Sequence, residues 1–213
     1  MSTGIRLDRR TVVAGLAALP VIRAVPAIAQ TGGLPSALAY DITYRSKSVG
    51  HHRVAIAAEG DQTRVTHDLA IKVTLLGISL YSLQQNSTEL WADDRLVRLN
   101  STSVKRGKKV ELRGEASGDG FALTGPDGTR TIASSIATTN ALWRAKMLER
   151  SELLDTSDGS VLPRKLDPLG QDIALNKYQL DFGDTQMVAW FDAALLAKAD
   201  VTQDGNTIRY VRT

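Results

Sequence analysis

The stretch Val65-Thr66-His67-Asp68-Leu69-Ala70-Ile71-Lys72-Val73-Thr74-Leu75 carries apolar side chains at every second position, with His67 as the one polar member of that series. Successive side chains of an extended chain point to opposite faces, so this period of two predicts a strand with one buried face. Working outward, Tyr40, Ile42 and Tyr44 alternate with Asp41 and Thr43, and further alternation runs over 81–91, 95–103, 110–115, 178–182, 187–191 and 208–212. Turn-forming pairs separate these runs: Gly60-Asp61, Asp93-Asp94, Arg106-Gly107, Asp119-Gly120, Asp127-Gly128, Asp158-Gly159, Gly183-Asp184 and Asp204-Gly205. None of the Asp-Gly pairs continues into calcium-loop spacing. Gly77, between two strongly β-forming runs, marks an expected bulge or bend.

One segment breaks the period. Over 139–154 good helix formers dominate, and Leu142, Trp143, Met147, Leu148 and Leu154 recur at three-to-four spacing, which predicts a short helix. About nine or ten strands and a single helix suggest a mainly β fold: a strongly curved antiparallel meander sheet or open β-barrel whose concave face the helix covers.

The N-terminus has a different character. Asp8-Arg9-Arg10-Thr11-Val12-Val13, an apolar run to Ile22, Arg23 and the small-residue site Ala27-Ile28-Ala29 together resemble a twin-arginine export signal. The expected organisation is a cleaved signal over 1–29, a flexible lead over 30–37 and one β-rich domain over 38–213. The run from Val12 to Ile22 is far shorter than the ~20 residues of a membrane-spanning helix. The expected address is therefore periplasmic and soluble, with the twin-arginine translocase as the export partner.

The chain has 213 residues and a formal charge of +3. Its first 29 residues hold Arg6, Arg9, Arg10 and Arg23 against Asp8, which accounts for the whole excess. A neutral remainder lacks the electrostatic term that drives nonspecific nucleic-acid binding, so no such partner is expected. With no cysteine there are no disulfides, thiolate metal sites or Cys nucleophiles. No dinucleotide fingerprint, Walker loop or nucleophile elbow occurs, and no cofactor is expected.

Tyr40-Asp41-Ile42, Val49-Gly50 with His52, Leu76-Gly77 with Tyr81, and Glu89-Leu90-Trp91 with Leu96 follow one another in an order and spacing that resembles the exported bacterial family DUF6134. Trp143, Ala189-Trp190-Phe191-Asp192, Asp204-Gly205 and Ile208 extend that likeness over nearly all of 38–213. The family is a domain of unknown function. The resemblance implies export and fold and supplies no chemistry.

The candidate chemistry is sparse. His51, His52 and His67 are the only histidines. His51 and His52 are adjacent and point to opposite faces of a strand, and no zinc-ligand spacing is present, so no metal is expected. His67 shares the apolar parity, where a buried imidazole needs a hydrogen-bond partner, and Glu89 is the nominee. His52, His67 and Glu89 are thus the candidate catalytic groups. Tyr81, Leu83, Gln85, Ser87, Glu89 and Trp91 share one face of their strand, which fits either the wall of a mixed-polarity cavity or a half-wet edge strand. Trp143, on the covering element, is placed to cap such a cavity. Tyr81, Gln85, Glu89, Trp91 and Trp143 are therefore the candidate ligand contacts. Three readings follow: a periplasmic binding or carrier protein for an apolar or amphipathic small molecule or lipid, an isomerase or hydrolase using His and Glu, or an envelope interaction protein without a ligand.

Overall fold

The computed structural model describes residues 33–75 and 78–213. The expected signal over 1–29 and the expected bend at Gly77 lie outside the described residues. Eight strands form the first half: β1 (Ala37–Tyr44), β2 (Lys47–Glu59), β3 (Gln62–Leu75), β4 (Ile78–Ala92), β5 (Arg95–Lys105), β6 (Lys108–Ser117), β7 (Gly120–Gly125) and β8 (Gly128–Ala133). Seven form the second: β9 (Ala137–Thr138), β10 (Glu152–Leu154), β11 (Val161–Asp172), β12 (Leu175–Phe182), β13 (Thr185–Asp192), β14 (Leu195–Gln203) and β15 (Asn206–Arg212).

All fifteen belong to one sheet in the order β8-β7-β6-β5-β4-β3-β2-β1-β15-β14-β13-β12-β11-β10-β9. Two antiparallel meanders run away from a central β1–β15 pair, where Tyr40 faces Arg212 and Tyr44 faces Ile208. Among the described residues only β9 and β10 pair in parallel. The outermost strands, β8 and β9, are joined by residues 134–136 alone, and four peptide steps span about 14 Å at most. The sheet must therefore roll until its two edges approach. They meet without pairing, so the barrel-like shape stays open.

The period-two reading holds where it was strongest. Along β3, Val65, His67, Leu69, Ile71 and Val73 are buried, while Thr66, Asp68, Lys72 and Thr74 are exposed. β4 pairs with β3 on one side and β5 on the other, so it is an interior strand rather than an edge. The larger core gathers Val54, Val65, Trp91, Leu99, Phe121, Leu154 and Phe191, and a second cluster of Ile42, Tyr44, Leu69, Ile71, Val73 and Leu83 lies above it. Each such side chain taken from water contributes about 1.5–3 kcal/mol, which is what holds the roll shut against chain entropy.

The strand count exceeds the expected nine or ten because β2, β7, β8, β11 and β14 carry weak patterns. The expected helix over 139–154 is also corrected. Two short 3-10 turns, Thr139–Trp143 and Ala145–Glu149, stand there, and the segment ends in β10. Tertiary contacts override helix propensity at Arg144, which is extended (φ −106°, ψ 121°) and forms a β-bridge with Leu195. Its guanidinium bonds Asp94 at 2.5 Å, and Lys146 joins the same carboxylate. Thr138 caps the first turn by accepting from the Ala141 N–H. Asn140, Ala141, Leu142, Trp143, Met147 and Leu148 are all buried, so the segment is a plug inserted into the roll rather than an amphipathic lid.

Candidate functional site

The plug closes one end of the roll, beside the β4–β5 and β13–β14 turns, where Ala145 N–H donates to Ala194 O at 2.8 Å. From there the chain climbs the inner wall. Ser101 and Ser103 on β5 donate to the carbonyls of Thr156 and Ser157, and Asn140 donates to Ser87 Oγ at 2.9 Å. The opposite end stays open. Between plug and mouth lies a cavity of about 270 Å³, walled by Leu69, Ile71, Val73, Leu83, Met187 and Ile208 and floored by Trp143, Leu142 and Asn140. Four of the five tyrosines, Tyr40, Tyr44, Tyr81 and Tyr210, line it.

The mouth of the cavity carries Lys105, Arg106, Gln203, Asp204 and Asn206, whereas His52, Gln85 and Asn140 are buried polar residues deeper in. His52 on β2 lies on its wall. Its Nε2 stands 3.1 Å from His67 Nδ1, and His67 Nε2 stands 3.6 Å from Glu89 Oε2. Glu89 Oε2 accepts the Trp91 indole N–H at 3.0 Å. His67 and Glu89 are fully buried, and His67 Nε2, Glu89 Oε1 and the Trp143 indole nitrogen have no hydrogen-bond partner. Carboxylate, two imidazoles and cavity thus form one line, in which His52 is the only catalytic candidate that reaches the open space. Burial, reinforced by His67, His51 and Arg53, holds the His52 pKa well below its ordinary value of 6.5, so the ring is neutral. With His52 Nε2 engaged by His67, Nδ1 is the nitrogen available to a cavity ligand.

Burial pushes the Tyr81 phenol up to about 12, against the lowering influence of Arg106, whose guanidinium lies 5.7 Å from the Tyr81 ring. The Tyr40 and Tyr210 phenols are raised further, again chiefly by burial. All three are hydrogen-bonding phenols and not phenolates. Tyr40 already donates to Leu196 O at 3.2 Å.

Of the sequence-derived candidates, the structure brings His52, His67 and Glu89 together, and places Tyr81, Gln85 and Trp143 on the cavity wall. Glu89 and Trp91 sit off that wall, beneath His67, as support for the imidazole chain. Sequence reasoning missed Tyr40, Tyr44 and Tyr210. The signal was present, because Tyr40 and Tyr44 share one parity of β1 with Ile42.

No curated protein matches the chain. Among solved structures it is similar to a beta-barrel-like protein of domain of unknown function DUF1849 from Brucella abortus, with TM-score 0.58 and 9% identity, covering 83% of this chain and 94% of that one. It is also similar to a DUF1089 family protein from Pseudomonas aeruginosa, with TM-score 0.44 and 16% identity, covering 72% of this chain and 90% of that one. The first likeness is one of fold, and agrees with the open roll described above. The profile of DUF6134, a domain of unknown function, matches residues 40–213, so the chain belongs to that family.

Proposed function

We propose that this protein binds an apolar or amphipathic small molecule, of the lipid class, inside the rolled sheet, and carries it in the periplasm after twin-arginine export. The observation that carries this reading is the cavity itself: apolar side chains from six strands and a plugged floor, with His52, Gln85 and Asn140 as buried polar contacts and a polar mouth that includes Lys105, Arg106, Asp204 and Asn206. Ligand sites are built this way, from apolar surface for affinity and a few placed polar groups for orientation. A protein needing only a stable fold gains more by filling the space, since each void forfeits packing energy. Native mass spectrometry with organic extraction, on protein purified from its own periplasm, tests the reading. A stoichiometric apolar adduct supports it, and a clean apo mass from that source refutes it.

A second reading draws on the Glu89–His67–His52 line, which resembles the way a carboxylate orients an imidazole for general-base work. Here His52 Nδ1 is the base, and an isomerase or hydrolase is the activity class. Extracting the adduct from wild type and from His52→Gln separates the two readings. A chemically different molecule accumulating in the variant favours turnover, whereas the same molecule in both favours carriage.

A further inference from the structure

At the open end, β3 and β4 outrun their neighbours. Register with β2 ends at Gly50 facing Ile71, and register with β5 ends at Leu83 facing Lys105. Beyond those points the two strands pair with each other, Lys72 with Ser82, Val73 with Tyr81 and Leu75 with Ile78. Val73 is still buried and β2 runs on to Lys47 against β1, so the part that stands clear is the end of the two strands, residues 74–75 and 78–80. On this projection Ile78 is 68% exposed and Leu80 41% exposed, and Leu80 also lines the cavity mouth. Leu80 therefore links the exposed end of the strand to the cavity mouth.

Cations surround its base. Lys72 lies on its outer face, Arg106 and Lys108 occupy the β5–β6 turn on one flank, and Arg45 and Lys47 the β1–β2 turn on the other. Lys105 is matched by Asp158 and Lys109 by Glu111, but Arg45, Lys47, Lys72, Arg106 and Lys108 form no ion pair among the described residues. The acidic rim residues Asp184 and Asp204 stand on the far side, at the β12–β13 and β14–β15 turns. The unpaired cations of the open end thus lie on the β1–β6 side, interspersed with Asp155 and the paired Asp158, while the far rim carries Asp184 and Asp204.

We propose that the projecting ends of β3 and β4, with the cations at their base, dock the cavity mouth onto an anionic phospholipid surface. Exposed aliphatic side chains enter the acyl boundary while Lys and Arg meet the phosphates, the division of labour that peripheral membrane proteins use. The acidic far side is repelled, which orients the mouth. The proposal extends the carrier reading by naming the surface from which the ligand is taken or to which it is delivered.

Flotation of the chain, produced and processed in its native host, with vesicles of phosphatidylglycerol and phosphatidylethanolamine tests it, with phosphatidylcholine vesicles as the neutral control. Binding to the anionic vesicles alone, weakened by salt, is expected. Each cation near an anionic surface is worth about fivefold in affinity, so Lys72→Gln with Lys108→Gln should weaken binding about 25-fold. Ile78→Ser with Leu80→Ser should abolish it with an unchanged unfolding curve, because both side chains are exposed. Equal binding to neutral vesicles, no binding to either, or variants that bind like wild type would each overturn the proposal. Self-association that Ile78→Ser with Leu80→Ser removes, without vesicle binding, would assign the projection to a second copy and overturn it too. Native mass spectrometry of the wild-type chain keeps the two readings apart: ligand present without vesicle binding overturns docking alone, and vesicle binding without ligand overturns the cavity reading alone.

Discussion

Replacing His52 with Gln should flatten the acid dependence of stability. In the fold this ring sits 5.3 Å from the His67 ring and 6.0 Å from the Tyr40 ring, and burial keeps it neutral well below pH 6.5. In the unfolded chain it takes up a proton near 6.5. The unfolded state then binds more protons, so stability is unaffected well above pH 6.5 and falls as pH drops below it, until the depressed folded pKa is reached. While the folded ring stays neutral the slope approaches about 1.4 kcal/mol per pH unit, and the fall from pH 7.5 to 5.0 amounts to about 2 kcal/mol. Asp94 and Asp158, held low by Lys146 and Ser160, lose their contribution only as pH falls through the carboxylate range, below this window. Urea unfolding of delipidated protein at several pH values between 5.0 and 7.5 measures the slope. An acid dependence in His52→Gln equal to that of wild type would refute the argument that the fold keeps this imidazole neutral.

Gly50→Ala places a Cβ 1.9 Å from Ala70 O and 3.0 Å from Ile71 Cα, both main-chain atoms that cannot rotate away, so a loss of about 3 kcal/mol or more is expected in the urea midpoint. Trp143→Ala, which unroofs the cavity floor, should cost about 3 kcal/mol and release the bound molecule in native mass spectrometry, whereas Trp143→Phe should retain it. Arg9→Lys with Arg10→Lys should leave the precursor in the cytoplasm by fractionation and immunoblotting, and normal processing would contradict the assigned export route.

The strands with a strict period of two were legible, since burial on one face alone dictates that pattern, as β3 shows. β14 was not: Leu195-Leu196-Ala197-Lys198-Ala199-Asp200 reads by propensity as helix, yet its ladders to β13 and β15 make it a strand. β11 was hidden by Pro163 and Pro168, and Pro168 is tolerated because β10 pairs only as far as Pro163, leaving the remainder of β11 an edge beside a bulge. Three turns also escaped notice. Arg45, Ser46, Ile173 and Ala193 have φ between 49° and 63° without the Gly or Asn that announces such turns. In the site, parity placed His67 on the inner face and nominated Glu89, and the two converge. His52 was also a candidate, but what parity could not supply was its contact with His67. His52 meets His67 because β2 and β3 pair with His52 opposite Leu69 and Val54 opposite His67, a diagonal relation that no single strand encodes.

That diagonal bears on why the core tolerates this cluster. His67 Nε2 and Glu89 Oε1 are buried without partners, and an unmade hydrogen bond of this kind costs about 1–3 kcal/mol. Apolar replacements of similar size would cost the fold little, since removing both partners of a buried polar pair is often neutral or stabilising. Of the three residues, His52 is the one that borders the cavity. A ligand polar group accepting from or donating to His52 Nδ1 would fix the tautomers of both rings at once, because each imidazole nitrogen determines the role of its partner. Under the proposed carrier reading, the cluster would be half of a binding interaction whose other half is the polar head of the ligand. It follows that Glu89→Gln, which keeps shape but replaces the carboxyl by an amide, should weaken ligand retention more than it lowers stability. A variant that loses stability and retention in equal proportion would assign the cluster to the fold alone.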